Sequence, residues 1–353
     1  MRWRMLLAGA TLLAACGGDS SGPAEAPRSY IMGFSAIPPR VDTTLLFQTL
    51  TLSSAHSDAG LIQLSIPWTI LLADTAAAAE VRVVRLPLVD YYRGSGHKVV
   101  VALDVTDGLN RMAEAPELIA AGRSITDTAV QRLYREYVAA VDSILHPDYL
   151  SLAAETNLIR LAAPDSVYAA VVTMVNAAAA ERATAASTTP LLVSVQVETA
   201  WGRLQGGTTY IGISQDRTDF PFLDALGLSS YPFLGGFPDP DSIPLDYYSR
   251  LTLGAPLPLV VLEGGWPSVP AGAAASTPQM QARYIGRHAR ILDEASAVAV
   301  FQITFTDLDL SALPPPVDVS LVPFAHLGLV DSVLNPKPAL AAWDSVFGRP
   351  YRP

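Results

Sequence analysis

The chain has 353 residues, half of them hydrophobic, enough to bury the core of one large barrel or of two smaller domains. Its 33 acidic residues outnumber 23 basic ones, for a formal charge of −10, and no run of Lys and Arg occurs, which argues against nucleic acid as a partner. An anionic substrate is disfavoured less strongly, because a local cleft can concentrate a few arginines whatever the net charge.

The N-terminus reads as an export signal. Arg2 and Arg4 give a basic start, residues 5–13 are apolar, and Leu13-Ala14-Ala15-Cys16 closes the run with small residues before a cysteine. The apolar run falls well below the ~20 residues that span a bilayer. The closing segment resembles the lipobox of bacterial lipoproteins. That resemblance implies removal of residues 1–15, acylation (palmitate) at Cys16, and an exported protein held to a membrane on its periplasmic or outer side. Cys16 is the only cysteine, so none is left for a disulfide. Residues 16–28, beginning Gly17-Gly18-Asp19-Ser20-Ser21-Gly22-Pro23, have the composition of a flexible tether, and one folded domain is expected over 29–353.

From Tyr30 onward, short β-rich apolar runs alternate with helical stretches. Eight runs stand out, at 30–36, 60–66, 98–104, 149–154, 191–197, 225–229, 257–262 and 297–305, several nearly continuous in Val, Ile and Leu as strands buried on both faces must be. Between the third and fourth, Val130, Leu133, Tyr134, Tyr137, Val138, Val141, Ile144 and Leu145 recur at helical spacing, with Thr126 or Asp127 as cap. Further helices are predicted over 166–183, over 277–295 with Pro278 in the first turn, and over 338–346. Pro314-Pro315-Pro316 marks an irregular loop. Parallel strands need crossover connections. The first strand leads into Gly33-Phe34-Ser35-Ala36-Ile37-Pro38-Pro39, which lacks the glycine fingerprint usual in an open doubly wound sheet. The pattern therefore predicts an α/β protein with a single (β/α)₈ TIM barrel.

In such a barrel, functional residues follow the C-terminal ends of the strands. Glu155 directly follows the fourth run and Glu263 the seventh, which sets two carboxylates across the barrel mouth. Glycosidic bond cleavage needs such a pair, one carboxyl protonating the departing oxygen while the other attacks the anomeric carbon or activates water. For Glu155 a plainer reading competes, an acid favoured by the dipole of the helix that follows.

The octapeptide Val261-Leu262-Glu263-Gly264-Gly265-Trp266-Pro267-Ser268 resembles the nucleophile segment of arabinogalactan endo-β-1,4-galactanases and endo-β-1,3-glucanases, and the segment from Ala225 to Phe233 resembles strand six of the galactanases. Gly33-Phe34-Ser35 is similar to their strand-one end. These belong to a clan of retaining glycoside hydrolases with catalytic glutamates on strands four and seven. The resemblance implies Glu263 as nucleophile, Glu155 as acid/base, and Tyr231 as a hydrogen-bond donor to Glu263. Three departures stand out. Ala154 replaces the clan's Asn before the acid/base, leaving Asn157 as a substitute contact to the sugar 2-hydroxyl. Pro67-Trp68 stands where an Arg is usual near strand two, and Thr304-Phe305-Thr306-Asp307 replaces the Trp of strand eight.

Trp68, Trp201, Tyr231, Phe233 and Trp266 are candidates for stacking on sugar faces, and Asp104, Glu198, Asp307 and Asp309 for binding hydroxyls. The histidines at 56, 97, 146, 288 and 326 show no metal-ligand spacing, and His288, between Arg287 and Arg290, reads as a solvated helix face. No cofactor is expected. The sequence thus points to a monomeric β-glycosidase acting on a β-linked polysaccharide or oligosaccharide. The alternative is a glycan-binding barrel lipoprotein with little or no catalytic power.

Overall fold

The computed structural model describes residues 26–204, 207, 209–313 and 315–353. The export signal, Cys16 and Pro314 lie outside the described residues. Eight strands form the barrel: β1 Ile31–Ser35, β2 Ala59–Ser65, β3 Lys98–Asp104, β4 Tyr149–Ser151, β5 in two pieces at Leu191–Leu192 and Ser194–Gln196, β6 Leu226–Ser230, β7 Leu259–Gly264 and β8 Ala299–Gln302. All neighbours pair in parallel and in chain order, and β1 pairs with β8. The ring closes through β5, whose first piece bonds to β4 and whose second bonds to β6. The chain is a single-domain (β/α)₈ barrel.

Helices pack outside this ring as the apolar spacing predicts. Thr128–Ala140 continues into a π-helical turn at Val141–Leu145. Asp127 precedes it without capping it, its carboxylate being taken by Arg123 at 2.8 Å. Thr277 does cap Pro278–Glu294, accepting from the Met280 amide. Two expectations need correction. The sixth crossover has no α-helix and descends through 3₁₀ turns at Pro240–Ser242, Leu245–Tyr247 and Ser249–Thr252, a segment where Pro238, Pro240 and Pro244 remove donors that a helix needs. His288 is buried against Tyr284, with its Nε2 2.9 Å from the Tyr248 hydroxyl, and burial pushes its pKa down to about 3. Next to the expected start of the domain, Arg28 is buried, pairs with Asp58 at 2.7 Å and bridges to Tyr351.

The barrel lumen is plugged by Ile31, Ala59, Leu61, Val100, Ala102, Leu192, Ala225, Val260, Leu262, Ala299 and Phe301. Strand side chains alternate between lumen and helix layer, so the same parity carried upward names the next layer: Ser35 on β1, Gln63 on β2, Asp104 on β3, Glu155 beyond β4, Gln196 on β5 and Ser229 on β6. The lumen is apolar at its base and polar at its mouth. Phe301 is the largest plug residue and fully buried. Phe301→Ala is expected to cost about 3–5 kcal/mol, read as a lower urea midpoint at unchanged slope.

Candidate active site

Strand β7 breaks the alternation. Val261 pairs with Leu228 and Glu263 with Ser229, so Leu262 is a bulge residue, and such an extra residue re-aims the side chain that follows it. Leu262 fills the lumen and Glu263 turns inward directly after it. Gly265 lets the chain leave the strand, because a Cβ there would stand 2.7 Å from Gln302 Nε2.

Glu155 enters from the opposite wall. It adopts left-handed backbone angles (φ 49°), uncommon for a residue with a side chain. Its amide donates to Ser194 Oγ at 2.9 Å. It stands at the N-terminus of Thr156–Ala162, yet its carboxylate makes no capping bond to that helix. The side chain points across the mouth instead, toward Arg111 and Ser229.

There the two carboxyls share a hydroxyl. Ser229 Oγ lies 2.6 Å from Glu155 Oε1 and 3.3 Å from Glu263 Oε2, so those two oxygens are no further apart than both distances laid end to end, about 6 Å. Tyr231 donates its hydroxyl to Glu263 Oε2 at 3.1 Å, and Gln63 Nε2 donates to Oε1 at 2.9 Å. Gln63 is itself steadied by Ser35 Oγ, which donates to its Oε1. Glu155 Oε2 accepts from Arg111 Nε at 2.9 Å, and Arg111 Nη1 reaches both oxygens of Asp104 at 2.6 and 2.7 Å. The result is one connected network from Asp104 to Ser35, with two glutamates and a single guanidinium.

That imbalance sets the protonation of the pair. Burial, then the charge of Glu155, raise the Glu263 carboxyl from the usual 4.5 to about 7, with the Arg111 charge only partly opposing them. Burial and then the charge of Glu263 hold the Tyr231 hydroxyl well above its ordinary value, so it remains a donor at neutral pH.

Arg111 and Gln63 are absent from the sequence-level candidates. Arg111 rides on a hairpin inserted after β3, pairing Thr106–Asp107 with Asn110–Glu114. Its signal is Asp107-Gly108, a turn dipeptide directly after a strand. Gln63 announces itself as a polar residue on the lumen parity of an apolar strand.

Other candidates fall elsewhere. Trp68, Trp266 and Phe233 are fully buried and offer no face to a sugar, with Trp266 stacked on Tyr284 and donating to Ser276 Oγ. Asn157 cannot serve a 2-hydroxyl, since its amide is spent on Gln196, donating to the carbonyl and accepting from the backbone N–H. Asp104 and Asp307 are committed to ion pairs, the first with Arg111 and the second with Lys337 at 2.6 Å. Asp309 pairs with Arg40. Glu198 is sealed under Tyr247 and Ser230, both of which donate to it, and burial raises its pKa. Trp201 alone of the three candidate tryptophans stays partly exposed, stacked on Tyr247 with the Arg250 guanidinium 4.8 Å from its ring.

No protein-family model and no curated protein sequence matches the chain. Among solved structures it is similar to exo-β-1,4-mannosidase Op5Man5 from Opitutaceae bacterium strain TAV5, at 16% identity and TM-score 0.62 over 91% of this chain and 59% of that one. It is also similar to a family 39 glycoside hydrolase from Bacteroides cellulosilyticus WH2, at 17% identity and TM-score 0.60 over 90% and 63%. A third is GH5_18 from Bifidobacterium longum subsp. longum, at 16% and 0.61 over 93% and 82%. The chain therefore spans less than two thirds of the first two. At these identities the likeness establishes the barrel.

Two outcomes follow from the charge imbalance. Because the Glu263 proton is held more tightly in the folded chain, the stability it contributes is full below pH 4.5 and is lost as pH rises through about 7. Glu263→Gln removes that loss, so its melting temperature should exceed that of the wild type at pH 8 and converge with it at acid pH. Arg111→Met strips the guanidinium, whose side chain is 6% exposed, from two carboxylates. Its expected cost is about 3 kcal/mol or more in urea unfolding.

Proposed function

We propose that the protein is a β-glycosidase working by retaining double displacement on a β-linked oligosaccharide or polysaccharide. The observation that carries this reading is the pair of strand-four and strand-seven glutamates within reach of one serine hydroxyl. Retaining enzymes hold their two carboxyls about 5–5.5 Å apart and inverting ones about 6.5–9.5 Å, and two carboxyls whose facing oxygens lie within about 6 Å of each other accord with the first. Glu263 attacks the anomeric carbon while Glu155 gives its proton to the departing oxygen. Glu155 then takes a proton from water, which releases the sugar from Glu263. Tyr231 and Gln63 hold one oxygen of Glu263 each and fix its line of attack. The neighbouring barrels support the class of bond without naming the sugar. The lipobox-like segment extends the proposal to an exported protein anchored through Cys16, facing the periplasm or the exterior.

A second reading, a glycan-binding barrel of little hydrolytic power, is favoured by one observation. The carboxyl that must act as general acid in this scheme has one oxygen taken up in an ion pair with Arg111.

A panel of aryl β-glycosides and β-linked glycans separates the two. Turnover by the wild type, lowered about 10²–10⁴-fold in Glu155→Ala on poor leaving groups and abolished in Glu263→Ala, is the expected result. Covalent labelling of Glu263 by a 2-fluoro glycosyl fluoride identifies the nucleophile. Glycan binding without turnover in any of the proteins would sink the enzyme in favour of the binding barrel.

A further inference from the structure

The pair has a feature that a simple nucleophile and acid do not require. Each carboxyl has one oxygen already committed to a nitrogen donor: Glu155 Oε2 to Arg111 Nε, and Glu263 Oε1 to Gln63 Nε2. Neither of those oxygens can carry a proton without losing its donor. A proton on Glu155 therefore belongs on Oε1, and a proton on Glu263 on Oε2. These are the two oxygens that face Ser229 Oγ, at 2.6 and 3.3 Å. Tyr231 also touches Glu263 Oε2, but touches no oxygen of Glu155, so among the described residues only Ser229 bridges the pair.

We propose that Ser229 is a proton relay that decides which of the two glutamates holds their shared proton. The inference rests on the glycosidase reading for its use in turnover, although the relay itself is a property of the unliganded site. The step is balanced. The Ser229 hydroxyl hydrogen passes to Glu155 Oε1 while Oγ takes the hydrogen from Glu263 Oε2. The serine ends neutral, Glu263 becomes the carboxylate and Glu155 the acid. The reverse shift restores the resting state.

Such a device answers a mismatch in the resting site. With nothing bound, the guanidinium lies against Glu155, and burial and repulsion raise Glu263, so the shared proton is drawn toward the residue that must attack. The groups facing the pair are Arg111 and Asp104 from the β3 side, Gln63 from β2, and Ser229 and Tyr231 from β6 and its end. None of them but Ser229 can both give and take a proton between the two carboxyls.

The test uses Ser229→Ala and Ser229→Thr in the mature protein. In the unliganded proteins, ¹³C-labelled glutamate side chains are titrated by NMR. In the wild type and in Ser229→Thr, the signals of Glu155 and Glu263 should move together through one step near neutral pH, whereas in Ser229→Ala that step should fall on one residue. Curves of Ser229→Ala that superimpose on the wild type overturn the relay, whatever happens to turnover. In hydrolysis, Ser229→Ala should lose about 10²-fold or more on aryl glycosides with poor leaving groups. It should lose far less on dinitrophenyl glycosides, which need little protonation, and Ser229→Thr should restore the difference. An equal loss on both substrates marks a purely structural serine and overturns the relay. A step shared by both residues in the wild type and confined to one in Ser229→Ala, in a protein that hydrolyses nothing, supports the relay and sinks the glycosidase reading instead.

Discussion

Two carboxyl groups forced to share one small volume of low polarity, with a single guanidinium set against one of them, are the constraint around which this barrel mouth is arranged. Like charges at that separation, away from water, cannot both persist without compensation. Every neighbour is therefore a donor: Arg111 and Ser229 on one carboxyl, Gln63, Tyr231 and again Ser229 on the other. The supporting structure is recruited for the same end. Ser35 steadies Gln63, Asp104 steadies Arg111, and Ser194 holds the backbone of Glu155 in an uncommon conformation. A left-handed residue that carries a side chain is a cost that the surrounding bonds absorb.

Much of the scaffold was legible because its signals are local and periodic. Buried parallel strands must be apolar on both faces, and the helices at 130–145 and 277–295 repeat every three or four residues. Glu155 and Glu263 stood out for the same reason, as charges directly behind apolar runs. What stayed hidden depends on contacts between distant segments. Nothing local shows that Arg111, on an inserted hairpin, swings back over the mouth. Nothing local shows that loops close over Trp68, Trp266 and Phe233, so that proximity to a strand end did not mean access to solvent. His288 misled in the same way, because two flanking arginines describe their own faces of the helix and not the one between. The sixth crossover failed differently: its prolines were visible, but the expectation of a regular barrel outweighed them.

The bulge at Leu262 shows how one strand meets two demands. Regular alternation would send either the plug or the carboxylate to the wrong face. The extra residue lets Leu262 close the lumen and Glu263 begin the polar layer in consecutive positions. At β5 the chain makes a comparable compromise, with one interrupted strand serving two neighbours.

The hairpin that brings Arg111 has a consequence of its own. The carboxylates are built into the barrel wall, where replacement disturbs the fold, but their counter-ion is delivered by a surface insertion, the part of a protein most freely exchanged in descent. Reactivity and architecture are thus separable here. A lineage that shortened or replaced this loop would keep both acids in place while altering how readily either is neutralised, without touching the staves.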